Sequence, residues 1–109
     1  MHELGITRSV VAICSEHAHG SPVRRVTLEI GELSAVLPES VRFCFDVCAK
    51  GTLLEGASLE IIEVPGAALC RDCGAEVRLS RPYGRCVCGS ANLRLVAGEE
   101  LNIREMEVA

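Results

Sequence analysis

Seven cysteines stand out in a chain of 109 residues, and four of them, Cys70, Cys73, Cys86 and Cys88, fall within nineteen positions. They form two close pairs, Cys70-x2-Cys73 and Cys86-x-Cys88, with twelve residues between the pairs. A tetrahedral zinc ion takes four thiolates at about 2.3 Å, and two tight loops separated by a short hairpin can deliver them. Gly74 follows the first pair and Gly89 the second, supplying the backbone freedom a metal knuckle needs. Four cysteines close the coordination sphere and leave no position for water or substrate, so the role expected of Zn(II) is structural. The odd cysteine count, without a secretion-signal pattern, argues against a disulfide framework. A redox Cys-x-x-Cys normally opens a helix in a βαβ unit, and none is expected around Cys70. The second pair departs from the commoner knuckle, with Val87 alone between its cysteines.

The chain opens Met1-His2-Glu3. With Met1 retained ahead of the bulky His2, the terminal amine, the deprotonated His2 amide and the His2 Nδ1 close adjacent chelate rings. The Glu3 amide offers a further nitrogen, and such a set suits a square-planar ion: Ni(II), with copper as competitor. A site of this kind is mobile and faces solvent, which favours exchange over storage. A histidine at position two is not specific by itself and gains meaning only in company.

Other candidates have simpler readings. His17 and His19 fall near the end of a helix, where a cation is favourable. Cys44 and Cys48, one helical turn apart, and Cys14 sit among apolar residues and read as packing side chains. No nucleophile–base grouping, phosphate-cradling glycine loop or carboxylate pair is visible, so no enzyme is expected. The net charge of −4, with a pI near 5.3, provides no global positive field for nucleic acid or an acidic membrane surface. Five arginines (Arg71, Arg78, Arg81, Arg85 and Arg94) accompany Asp72 and Glu76 in the cysteine segment, but a zinc tetrathiolate brings two negative charges and nearly balances them. Tyr83 is the sole aromatic there for stacking on a base. No apolar run approaches the roughly 18–20 residues of a membrane span, and the protein is expected to be cytoplasmic.

The surrounding pattern shows what must position these residues. Leu4, Ile6, Val10, Ile13, Cys14 and His17 recur at helical steps, and Gly20, Ser21 and Pro22 end that helix. From Val23 to Gly31 apolar and polar residues alternate as in a half-buried strand. Pro38 opens a second helix striped by Val41, Cys44, Phe45 and Cys48 and stopped at Gly51. A strand over Ala57 to Val64 precedes the Pro65-Gly66 break. Leu93 to Val96 and Leu101 to Val108 are again extended; Met106 is out of phase with Leu101 and Ile103, which a bulge near Arg104 would reconcile. So apolar a last strand needs a partner, and it should return to the first sheet. The order is then helix, strand, helix, strand, metal knuckle insert, strand.

Together, MHELGIT at the start, VTLEIGELSAVLPESVRFCFDVCAKGTLLEGASLEI in the middle and a four-cysteine insert ending in CGS resemble the HypA-type hydrogenase maturation proteins over essentially the whole chain. The resemblance implies an α/β fold (α+β), two helices packed on a small three-stranded sheet, with a zinc-ribbon-like four-cysteine knuckle domain inserted. It implies a nickel-binding domain at 1–66 plus 97–109 and an inserted zinc-binding domain at 67–96. It also implies a non-enzymatic nickel metallochaperone that works with a partner GTPase to deliver Ni(II) to the precursor of the [NiFe]-hydrogenase large subunit. Carried over, His2 is the imidazole ligand, the Met1 amine and the amides of His2 and Glu3 supply the other nitrogens, and Cys70, Cys73, Cys86 and Cys88 hold zinc. Self-association stays open, and neither nucleic acid nor membrane is an expected partner. The alternative is a zinc-ribbon module that binds protein or nucleic acid without transferring nickel.

Overall fold

The computed structural model describes residues 2–109. Its elements run α1 (His2–His17), β1 (Val23–Gly31), α2 (Pro38–Ala49), β2 (Ser58–Val64), β3 (Gly66–Cys70), β4 (Glu76–Leu79), β5 (Leu93–Ala97) and β6 (Leu101–Val108). Two three-stranded sheets result, with strand orders β2-β1-β6 and β4-β3-β5. The last strand does return to the first sheet, leaving the cysteine segment as an excursion between β2 and β6. Among the described residues no helix is long and apolar enough to cross a membrane.

The chain divides into two compact units. The first comprises Met1–Leu28, Val36–Ile62 and Asn102–Ala109. Here α1 packs on α2 through Val10, Val11 and Cys14 on one side and Val41, Phe45 and Ala49 on the other, with Val26, Leu28 and Leu54 completing a core free of solvent. Each such aliphatic or aromatic side chain contributes about 1.5–3 kcal/mol by leaving water. Helix α2 is set by chemistry at both ends. Pro38 fixes φ in the first turn, where its missing N–H costs nothing, and Gly51 takes φ +76° just past the end. Around the sheet, Thr27 Oγ1 donates to Glu60 Oε1 at 3.2 Å and Arg25 pairs with Glu107 at 3.5 Å.

Helix α1 begins at His2, two residues before the first apolar position of its periodicity. Its last turn is closed by His17, whose Nδ1 lies 2.9 Å from the Ile13 carbonyl oxygen, as expected of a donor near a helix C-terminus. Cys44 and Cys48 are only half-buried; the fully buried stripe of α2 is Val41, Phe45 and Ala49. In β6, Ile103 and Met106 line one shallow cleft with Ile13, Cys14 and His17 of α1, although three residues apart.

The second unit comprises Glu29–Ala35 and Glu63–Leu101. Strand β3 is its centre, antiparallel to β4 with Gly66 opposite Leu79 and Leu69 opposite Glu76, and antiparallel to β5 with Cys70 opposite Leu93. A register shift falls between Ala67 and Ala68. Strands β3 and β4 are short and had no periodic signal in the sequence. The buried side chains of this sheet are few, Ala67, Ala68, Cys70 and Leu79, and Cys86 is buried between β4 and β5. A third cluster forms where Leu33 lies against Gly66 and Gly98. A Cβ on Gly98 would come within 2.6 Å of the Gly66 Cα and 2.9 Å of the Leu33 side chain.

Candidate metal centres

Two matched turns build the cysteine cluster. In the first, Cys70 ends β3, its carbonyl accepts the Gly74 N–H at 2.8 Å, and its own N–H reaches the Ala75 carbonyl at 2.9 Å. In the second, the Cys86 carbonyl accepts the Gly89 N–H at 2.9 Å and the Cys86 N–H reaches the Ser90 carbonyl at 2.9 Å. Gly74 and Gly89 both take positive φ, +80° and +93°, directly after the second cysteine of each pair. The turn over Cys86 is one residue tighter than the turn over Cys70, and this accommodates the shorter spacing around Val87. The two knuckles are joined by the Ser90 hydroxyl, which donates to Asp72 Oδ2, and by the Arg71 N–H, which donates to the Asn92 carbonyl at 2.9 Å.

All four sulfurs lie within 4.8 Å of one another, the only such group of three or more Cys, His, Asp or Glu donors among the described residues. Cys70 and Cys88 are 3.7 Å apart and Cys73 and Cys86 3.5 Å apart. Ligands 2.3 Å from a tetrahedral metal sit about 3.8 Å from each other, so this donor set fits one tetrahedral ion. Cys88 reaches the cluster despite the one-residue spacing. Cys70 and Cys86 face inward, while Cys73 and Cys88 are exposed.

Crowding shows in the acidities. The N–H of Cys73, and after it that of Asp72, favours the Cys70 thiolate and lowers that thiol to about 6. Although the Ala75 N–H pulls the other way, Cys73 is pushed up to about 12 by the Cys86 and Cys70 sulfurs. Cys88 is raised too, because Cys70 and Cys86 outweigh the Ser90 N–H. Four thiols around one point cannot all ionise alone. A divalent cation would remove the conflict by holding all four as thiolates.

At the other candidate centre, Met1 lies outside the described residues, and so does its amine. His2 and Glu3 form the first turn of α1. The His2 imidazole is 71% exposed, and its Nε2 lies 3.7 Å from Glu3 Oε2. The Glu3 side chain, by contrast, is only 12% exposed. Its carboxylate accepts the Leu37 N–H at 3.3 Å, just ahead of α2, and the Leu37 N–H, with the helix-start environment, holds the Glu3 carboxyl below its usual range. The Glu3 carbonyl accepts the Thr7 hydroxyl at 2.6 Å. Sequence reasoning found Glu3 for its backbone nitrogen; the anchoring role of its carboxylate depends on a residue 34 positions away and had no local signal.

Over residues 1–108 the chain matches the profile of a family described as HypA, hydrogenase/urease nickel incorporation, metallochaperone. The hydrogenase maturation factor HypA of Trichormus variabilis is 62% identical over 108 residues, 99% of this chain and 96% of the relative. The protein of the same name from Geobacter metallireducens is 50% identical over 109 residues, 99% of each chain. The solution structure of the Ni metallochaperone HypA from Helicobacter pylori superposes with a TM-score of 0.66 at 27% identity, covering 97% of this chain and 96% of that one.

Proposed function

Because this chain belongs to the HypA family of hydrogenase/urease nickel-incorporation metallochaperones, we propose that it carries Ni(II) on its amino terminus and zinc in its cysteine knuckle. Nickel is the cargo, held by the Met1 amine, the His2 Nδ1 and the backbone nitrogens of His2 and Glu3. Zinc is the resident ion, held by Cys70, Cys73, Cys86 and Cys88, and it supplies a fixed crosslink between two turns whose own core is small. The observation that carries the nickel reading is the exposed His2 imidazole in the first turn of α1.

Nickel binding at such a site displaces protons from the terminal ammonium and from amide nitrogen, and release returns them. Transfer is then a ligand exchange in which incoming donors replace the terminal nitrogens one at a time. Binding weakens as pH falls, because protons compete for the same nitrogens. The recipient is the precursor of the [NiFe]-hydrogenase large subunit, reached together with a nickel-binding GTPase in the cytoplasm. The urease in the family's description extends the same chemistry to a second client.

Metal stoichiometry tests this on untagged protein, on His2→Ala and on a variant with one residue added ahead of Met1. One zinc per chain is expected in all three and one nickel in the first alone. Nickel binding indifferent to His2 and to the added residue would overturn the terminal site. Zinc lost together with nickel in His2→Ala would overturn the independence of the two sites.

A further inference from the structure

Glu3 and His2 stand in unequal positions. Glu3 is fixed at both ends, its carbonyl by the Thr7 hydroxyl and its carboxylate by the Leu37 N–H, and little of its side chain meets solvent. His2 is exposed and turns its Nε2 toward Glu3 Oε2, the same oxygen that accepts from Leu37. A chelate ring closed through the His2 amide can use only Nδ1, since Nε2 is too far around the imidazole. Nε2 then carries the ring proton, and it faces a carboxylate. Metal-bound histidines are commonly oriented in this way, by a carboxylate that accepts the other ring N–H. The 3.7 Å separation closes to a hydrogen bond by a small rotation of an exposed ring.

We propose that the Glu3 carboxylate is a positioning residue for the terminal nickel chelate, holding His2 by its Nε2–H so that Nδ1 is presented to the ion, and registering that imidazole against Leu37 at the start of α2. The proposal rests on the N-terminal nickel reading above and adds to it a role for a side chain that does not touch the metal. It makes Glu3 act twice, through its backbone nitrogen on the ion and through its carboxylate on the imidazole.

Glu3→Gln separates the two roles, since it keeps the backbone nitrogen and an oxygen that can accept from Leu37 but removes the charge facing Nε2. Glu3→Asp keeps the charge on a shorter arm. Both are compared with the zinc-loaded, untagged wild-type chain and with His2→Ala. Nickel affinity is read by competition with a chromogenic chelator, and the imidazole nitrogens are read by NMR of the diamagnetic square-planar Ni(II) form. Glu3→Gln should weaken nickel about 10–100-fold, the span typical for loss of a carboxylate behind a metal-bound histidine. It should also shift the His2 Nε2–H resonance while the Leu37 amide stays hydrogen-bonded and protected from exchange. Glu3→Asp should recover part of the affinity.

Wild-type affinity in Glu3→Gln, or equal losses in Gln and Asp, overturns the proposal while leaving the terminal site standing, provided His2→Ala still loses nickel. A proton on Nδ1 rather than Nε2 in the nickel form overturns it too. Undiminished nickel binding in His2→Ala overturns the terminal site and this proposal together.

Discussion

The Glu3 carboxylate accepts the Leu37 N–H at 3.3 Å, joining the first turn of α1 to the residue that precedes α2. Leu37 occupies the N-cap position of α2 but has no polar side chain with which to cap it, and Pro38 has no N–H. The bond therefore ties together two helix starts that lie 34 residues apart in sequence.

This link makes the metal-free fold sensitive to acid. The Leu37 N–H holds the folded carboxyl below its ordinary value of 4.5, so its contribution to stability is complete above that value. It is lost as pH falls through the lower folded value. Thermal midpoints of wild type and Glu3→Gln should differ most near neutral pH and converge in acid. A difference that grows on acidification would contradict the assignment.

On the proposed reading of the cysteine knuckle as a metal site, removing its metal should loosen one part of the chain and spare the other. The β4-β3-β5 sheet buries Ala67, Ala68 and Leu79, too little apolar area to hold it without the crosslink at Cys70, Cys73, Cys86 and Cys88. Chelation, or Cys73→Ser, should abolish hydrogen-exchange protection across β3, β4 and β5. The α1 and α2 amides, over a core of Phe45, Leu28, Val26 and Val41, should keep theirs. Equal loss in both would mean that the knuckle sustains the whole fold.

The two phenylalanines should respond oppositely. Phe45 is 1% exposed and Phe43 73% exposed, although they are two positions apart on α2. Phe45→Ala should cost about 3–5 kcal/mol, through lost burial and the cavity left behind. Phe43→Ser should stay within about 0.5 kcal/mol of wild type in urea denaturation. A large loss from Phe43→Ser would mean that its ring is covered.

Gly98 should tolerate no side chain. It takes φ +111°, which L residues rarely adopt, and a Cβ there would press on the Gly66 backbone and on Leu33. Gly98→Ala should lower stability by about 1–3 kcal/mol from the backbone alone, with the clash added to that. Thermal denaturation of the zinc-loaded variant measures it, and an unchanged midpoint would show that the segment relaxes freely.

Much of this protein is written locally in its sequence. Both helices, strand β1 over Val23–Gly31, and strands β2, β5 and β6 follow from apolar periodicity punctuated by Pro and Gly, because burial rewards one face of each element wherever it packs. The four cysteines are equally legible, since a metal selects donor type and pairing before any fold exists. Strands β3 and β4 are not legible in this way. Their four or five residues are too short for a period, and pairing through β3 defines them. Tertiary structure alone decided that Phe45 is buried while Cys44 and Cys48 are half-covered, because the angle between α1 and α2 selects which part of an apolar stripe is sealed. It also decided that segment 29–35 joins the unit holding the cysteines, and that the Glu3 carboxylate meets Leu37 and faces His2. Periodicity and spacing record what each segment does with its own neighbours. A hydrogen bond across 34 residues exists only once the chain has folded and brought the two helix starts together.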